Sequence, residues 1–492
     1  MTYNSPMSQT RTSGVDEQLK SIFDADSVAV IGASNVPGKW GFTVFSSLIQ
    51  SRARRRLFPV NRSSEEVLGV KTYSSVESIP GEIELAVIAV PPRAVPKVMD
   101  ECARKGVKGA VVITAGFGEA GDEGKALERE VLSIAREAGI RFVGPNCMGH
   151  FSTTTDLYTL GGSQGIKAGP IACISQSGNF GGYMLNRGNE MGVGFSKFVS
   201  TGNEADLHFE DYVEYLASDD QTKVITGYVE GLREPRRFFE LAKEVTRHKP
   251  IVLIKVGRTS EGAKAAFSHT AALSGEDEIY DAALRQCGVI RVDEVDEMFD
   301  VAAALIDQPR PRGKRIGILT GGGGFGVVAT DACVKLGLTV PPLLPETEET
   351  LNTRLPDRWS HANPVDMAGV NDTSYFCLGT MLKAENFDAI LGVSCVGYPP
   401  DTALDQLDLP GLDDIKRQVR MMVEGEERLV DGLLERVRRH NKPLILAHSP
   451  AGDQAPALRK LRENNIFIYP SPERAARVLS RLVQYGEYLS ER

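Results

Sequence analysis

Short apolar runs, each followed by an amphipathic stretch, recur along this chain in three series, and that rhythm constrains the fold more than any other feature. The first series is "SVAVIGAS" (27–34), "LAVIAV" (85–90), "GAVVITAGFGE" (109–119) and "RFVGPNCMG" (141–149). The second is "GPIACISQSGNFGG" (169–182), "KVITGYVEG" (223–231) and "KPIVLIKVG" (249–257). The third is "KRIGILTGGGGFG" (314–326), "DAILGVSCVG" (388–397) and "KPLILAHSP" (442–450). Runs of about 5–6 apolar residues without alternation read as strands buried on both faces, which is the signature of parallel sheets built from βαβ units. The spacing predicts an α/β protein of three domains in series, with ligand-binding turns at the C-terminal ends of the strands. Residues 151–168 are rich in Thr, Gly and Ser, and "DQPRPRGK" (307–314) is a basic, Pro-punctuated linker. The expected division is a loose tail over 1–15 and domains over 16–155, 156–308 and 309–492.

A formal net charge of −9 over 492 residues sets nucleic acid aside as a partner, because its phosphates reward basic surfaces. The longest apolar runs are far too short to span a bilayer, so no membrane is expected. The N-terminal "MTYNSPMSQTRTSG" has no apolar signal core. The seven cysteines form no C-x-x-C pair, which points to reduced thiols in a cytoplasmic setting and to no metal centre. Arg52 and Arg54–Arg56 read as a solvated face.

Three turns carry candidate chemistry. In "VAVIGASNVPGKWG", Gly32, Gly38 and Gly41 run from a strand into a helix, either letting backbone approach an anionic ligand or closing a tight βα turn. The spacing is not G-x-G-x-x-G, and no acid stands at the tip of the next strand to hold a ribose diol, which weighs against an NAD-dependent dehydrogenase. "TGGGGFG" (320–326) does fit that pattern at Gly321, Gly323 and Gly326, but it too lacks the acid and reads as a structural turn. "ISQSGNFGG" (174–182) places Ser175, Ser177, Gly178 and Asn179 at a helix start, an anion site by its dipole and unpaired donors, or else a plain serine N-cap. His269, in "AFSHTAALSG" (266–275), sits on a loop of small residues after a strand of the same domain, and Glu230 ends another of its strands. A histidine nitrogen can attack phosphorus, a carboxylate on the other ring nitrogen fixes the tautomer, and a helix start neutralises phosphoryl oxygens.

The ordered set "SVAVIGAS", "PVN", "GPNC", "SQSG", "VSTGNEADL", "VEG", "SHTAALSG" and "NPVD" resembles the α subunit of NDP-forming acyl-CoA synthetases, over roughly residues 20–485. These include ADP-forming acetate–CoA ligase and, more distantly, the succinyl-CoA synthetase α subunit. The resemblance implies a Rossmann-like CoA-binding domain followed by two flavodoxin-like parallel-sheet domains. It implies coenzyme A held by Gly32, Ser34, Lys39, Pro59, Val60, Asn61, Pro91, Ala115, Gly116, Phe117, Gly118, Glu119 and Asn146. It makes His269 the phosphohistidine, Glu230 its acidic partner, and Ser175, Ser177, Gly178 and Asn179 the phosphate cradle. Ala271 departs from the glycine that often follows His-Thr in the family. Cys147, in "GPNC", reads as a buried structural cysteine. The family also needs an ATP-grasp module, and no segment is left over for one. The implied reaction, carboxylate + CoA + ATP giving acyl-CoA + ADP + phosphate, therefore calls for a small carboxylate and for a separate ATP-grasp β subunit carrying Mg-nucleotide, in a hetero-oligomer. A non-catalytic acyl-CoA-binding or regulatory homologue is the alternative.

Overall fold

The computed structural model describes residues 12–51, 53–161, 165–259, 261–262, 277–407, 410–448 and 455–491. The strands are β1 (Ser27–Ile31), β2 (Arg56–Val60), β3 (Glu66–Val67), β4 (Val70–Lys71), β5 (Leu85–Ile88), β6 (Gly109–Val112), β7 (Arg141–Val143), β8 (Gly149–Ser152), β9 (Leu157–Tyr158) and β10 (Ala168–Ser175). They continue as β11 (Phe195–Ser200), β12 (Val224–Val229), β13 (Ile251–Lys255), β14 (Ile290–Val292), β15 (Ile316–Thr320), β16 (Val365–Asp366), β17 (Ala389–Val393), β18 (Leu444–Ala447) and β19 (Ile468–Tyr469).

Three sheets result, in the orders β2-β1-β5-β6-β7, β14-β13-β12-β10-β11-β8-β9 and β16-β15-β17-β18-β19. Leaving out the small β3–β4 hairpin and the β8–β9 pair, each sheet has its own strands in the order 2-1-3-4-5, all parallel. That is the flavodoxin-like doubly wound order, in which a crevice opens where the chain reverses direction, between strands 1 and 3. β8 and β9 extend the second sheet as antiparallel neighbours beyond β11.

The chain forms two compact units, Met1–Met298 and Phe299–Arg492. Within the first unit, successive residues of a strand enter opposite cores, as period-2 geometry requires. Val28 and Val30, Leu85 and Val87 belong to one cluster, and Ala29 and Ile31, Ala86 and Ile88 to another. The first of these clusters continues through Ala172, Ile174, Ile225 and Leu253 of the second sheet, so one core joins two sheets. Each fully buried Val, Leu or Ile there contributes roughly 1.5–3 kcal/mol against exposure. The second unit has its own core, in which Leu319, Ile390 and Leu446 meet Leu378, Leu433 and Leu458.

One surface expectation fails. Arg55 is buried, and its guanidinium donates to the carbonyls of Ala25 (2.6 Å) and Thr155. It ties the end of the first helix, Thr12–Phe23, to the β8–β9 turn, a role that no local pattern in "RARRR" signals. His150 is also structural. Its Nε2 pairs with the Ile22 carbonyl at 2.9 Å and its Nδ1 with the Thr159 hydroxyl at 3.0 Å. Burial, and then the nearby Arg55, lower its pKa to about 4 against the opposing bond to Ile22, so the ring is neutral at pH 7. Among the described residues no helix is long and apolar enough to cross a membrane, and no group of His, Cys, Asp and Glu has the makings of a metal site.

Candidate functional site

The switch point of the first sheet lies at the ends of β1, β2 and β5. Gly32 has φ +94°, and a Cβ there would fall 2.3 Å from the Ala89 carbonyl oxygen. At Gly41 a Cβ would fall 1.9 Å from the Gly32 oxygen. Both glycines are therefore demanded by chain packing on chain. The Asn61 amide donates to the Ala33 carbonyl at 2.7 Å, binding the β2 tip (Pro59, Val60) to the β1 tip, and Ser34 Oγ accepts from the Val36 N–H at 3.0 Å. The helix Trp40–Leu48 then begins at Lys39 with no side-chain cap, and Lys39 and Trp40 are exposed. Pro91 leads into a short 3₁₀ turn beyond β5.

In the second sheet the chain leaves β10 through Gln176 and Ser177 and enters the helix Gly178–Glu190. The Ser177 hydroxyl caps the helix, accepting from the Phe180 N–H at 3.4 Å. The buried Ser175 hydroxyl donates to the Ser177 carbonyl at 2.6 Å. Ser177, Gly178 and Asn179 line a groove of about 600 Å³, whose opposite wall includes Ala115, Gly118, Glu119 and Asn146 of the first sheet's loops. Seven of the residues expected from the sequence are thus brought together. Trp40, at the uncapped helix start beside Lys39, lines the same groove.

The turn Thr201–Glu204, after β11, holds the two walls in register. Asn203 Nδ2 donates to Glu128 at 3.0 Å and to Glu119 at 2.5 Å, and its Oδ1 accepts from the Asn146 amide at 3.2 Å. Gly202 has φ +61°, and a Cβ there would lie 2.2 Å from the Pro145 oxygen. Glu119 also accepts from the Gly116 N–H at 2.5 Å and from the Phe117 N–H at 3.3 Å, so its carboxylate closes its own loop. Burial acts to raise its pKa, but these bonds outweigh it and hold the group below the ordinary carboxylate range. Arg233 Nη2 donates to the Asn203 carbonyl at 2.9 Å and adds positive charge to the rim.

Glu230 is buried at the end of β12, and its N–H donates to Gln176 Oε1 at 2.6 Å. Its carboxylate lies against Tyr228, whose pKa is raised to about 12, first by burial and then by that charge. His269 and Ala271 lie outside the described residues. Cys147 is buried, donates to the Val112 carbonyl at 3.4 Å, and has its thiol pushed up to about 12 by burial, as a structural cysteine does. Asn203 and Glu204 sit inside "VSTGNEADL" and were expected only as part of a resemblance. A non-glycine residue at φ +55°, as Glu204 is, gives no signal in a lone sequence.

Family models match the chain in three stretches: a CoA binding domain over residues 26–152, a succinyl-CoA ligase like flavodoxin domain over 168–305, and a ligase-CoA domain over 316–392. The fold is that of a CoA ligase of the succinyl-CoA ligase type. More particularly, the chain belongs to the family of ADP-forming acetate–CoA ligase alpha subunits. It is 39% identical over 471 residues to the acetate–CoA ligase [ADP-forming] II subunit alpha of Pyrococcus furiosus, covering 95% of this chain and 98% of that one. Acetate–CoA ligase [ADP-forming] I of Archaeoglobus fulgidus is 43% identical over 377 residues, covering 76% of this chain and 54% of that protein. Among solved structures, dinucleotide forming acetyl-coenzyme A synthetase 1 of Ca. Korarchaeum cryptofilum, in complex with phosphate and ADP, superposes with a TM-score of 0.83 at 31% identity, covering 96% of this chain and 98% of that one. A dehydrogenase finds no support among these relatives.

Proposed function

We propose that the chain is the CoA-binding, phosphohistidine-bearing subunit of an ADP-forming acyl-CoA synthetase. The observation that carries this reading is the groove in which the capped helix start at Ser177–Asn179 faces the first sheet's Ala115–Glu119 loop, with Glu230 pinned beside it through Gln176. Coenzyme A fits the switch point of the first sheet. The exposed Lys39 and the uncapped helix start at Trp40 offer an ammonium and free N–H donors to its phosphates. Gly32, Ser34, Pro59–Asn61 and Pro91 shape that edge, and Asn146 and Ala115–Glu119 carry it toward the groove.

In the ligase direction a nitrogen of His269 takes the terminal phosphoryl group of ATP, and ADP leaves. A carboxylate oxygen of the substrate then takes that phosphoryl from the nitrogen, giving an acyl phosphate. The CoA sulfur attacks the acyl carbon, phosphate departs from it, and the thiol proton passes to the medium. Ser177, Gly178 and Asn179 hold the phosphoryl oxygens while Glu230 accepts the other ring N–H of His269. The Mg-nucleotide belongs to a separate ATP-grasp subunit, so the working enzyme is a cytoplasmic hetero-oligomer acting on a small carboxylate.

The test is phosphoryl labelling of the full chain. ATP with an ATP-grasp subunit of this family should label it with an acid-labile, alkali-stable bond that vanishes in His269→Ala. Labelling by ATP with the purified chain alone, or labelling that survives His269→Ala, would overturn the scheme. A chain that binds acyl-CoA but is never labelled would be the regulatory homologue.

A further inference from the structure

Glu204 is an acid that neither its place in the chain nor the reaction just proposed accounts for. It is 4% exposed, lines the groove, and holds a left-handed backbone at φ +55°. Its Oε1 accepts from Thr201 Oγ1 at 2.8 Å and from Gln176 Nε2 at 3.0 Å. Gln176 Nε2 also donates to the Gly231 carbonyl at 2.7 Å, while Gln176 Oε1 accepts from the N–H groups of Glu230 (2.6 Å) and Gly231 (3.1 Å). One carboxamide thus makes four bonds, three of them to the Glu230–Gly231 backbone. A carboxamide can be placed either way round, with its nitrogen and oxygen exchanged. Here the two N–H groups and the Gly231 carbonyl already set which way it lies, and Glu204 Oε1, which receives only the nitrogen, holds the amide in that sense from the far side.

We infer that Glu204 is a positioning residue for Glu230: by anchoring the Gln176 amide to the Thr201–Glu204 turn it steadies the strand end from which the Glu230 carboxylate reaches the phosphoryl-accepting histidine. The inference rests on the function proposed above. The other oxygen, Oε2, has no hydrogen-bond partner among the described residues. An ionised carboxylate left that way costs far more than a neutral acid. Burial pushes the Glu204 carboxyl up to about 8, with Glu210 pushing the same way and the bonds from Gln176 and Thr201 and the charge of Arg233 opposing. Burial thus favours the protonated acid, whose Oε1 is a carbonyl-type acceptor. Glutamine has the same acceptor and the same shape.

Three variants of the full chain, assayed with an ATP-grasp subunit, test this. Glu204→Ala should slow phosphoryl labelling at least about tenfold while the KM for CoA stays within about twofold, since the hydrogen bonds of the Glu204 side chain run to Gln176 and Thr201 and not to the CoA edge. Glu204→Gln should restore labelling to within about threefold of wild type. Glu204→Ala combined with Glu230→Gln should label no more slowly than Glu230→Gln alone, because the two act through one carboxylate. Wild-type rates in Glu204→Ala, loss without rescue in Glu204→Gln, or additive losses in the double variant would each overturn the inference. A fall in CoA affinity matching the fall in labelling would assign Glu204 to general structure instead. If wild type itself is not labelled, it is the phosphohistidine reading that fails. If Glu204→Ala does not fold, the Glu204→Gln rate and the pairing of Gln176→Met with Glu230→Gln decide.

Discussion

The turn after β10 and the turn after β15 occupy the same place in sheets of the same strand order and share a hydroxyl bond back onto the turn, yet they differ in how tightly they are held. After β10 the glycines are hemmed in: a Cβ at Gly178 would lie 2.8 Å from Met148 Cγ, and one at Gly181 would lie 2.8 Å from Phe198 Cζ. Ser177 caps the helix with its side chain, and Gln176 knits the turn to the next strand end. After β15 the helix Gly323–Lys335 starts from Gly322 with no side-chain cap. The Thr320 hydroxyl folds back onto Gly322 as that of Ser175 does onto Ser177, but a Cβ at Gly322 or Gly324 would meet nothing within 4 Å, and those at Gly323 and Gly326 would come no nearer than 3.1 Å to a neighbour. No glycine from Gly321 to Gly326 has positive φ. A glycine count therefore does not measure constraint. The single Gly202 is more tightly specified than the four consecutive glycines of "TGGGGFG".

The comparison can be broken at its strongest point first. Gly202→Ala should cost at least about 3 kcal/mol, because it adds a clash with the Pro145 oxygen to strain at φ +61°. A thermal unfolding scan within a degree or two of wild type would show that the junction yields. Next, Glu230→Gln should lower the rate of phosphoryl labelling by about a hundredfold, with the unfolding midpoint unchanged. Full activity in that variant would leave the β10 turn with no more chemistry than the β15 turn. Ser177→Ala should remove about 1 kcal/mol of stability with the lost cap, read as a fall in the denaturant midpoint at constant slope. The smallest effect has the opposite sign. Gly324→Ala, in an open helical position, should add about 0.5–1 kcal/mol and leave turnover intact. Loss of turnover without loss of stability there would make the β15 turn a ligand site and erase the contrast.

Most of the architecture was written in local pattern. The core strands β1, β5, β6, β10, β12, β13, β15, β17 and β18 are uninterrupted apolar runs that report their own burial. The strands that escaped are short or mixed. β14, β16 and β19 offer two or three residues each, and β11 interleaves Ser196 and Lys197 with Phe195 and Phe198. The Lys197 charge is met by Asp219 at 2.9 Å, a contact 22 residues away that local composition does not foretell. β8 and β9 lie in or beside the Thr- and Ser-rich stretch and acquire their pairing only from the edge of β11. In the groove, Ser177 was readable because helix starts have a residue grammar. Gln176, Asn203 and Glu204 were not, because their roles are bonds between loops 28 to 84 residues apart.

Every one of the seven cysteines is buried. For Cys102, Cys147, Cys173, Cys333 and Cys395, burial pushes the thiol up to about 12. The native chain should therefore be silent toward a chromogenic disulfide reagent at neutral pH. Consumption or release of the CoA thiol can then be followed continuously and optically in the presence of stoichiometric protein, and any colour from the protein itself becomes a direct counter of unfolded chains.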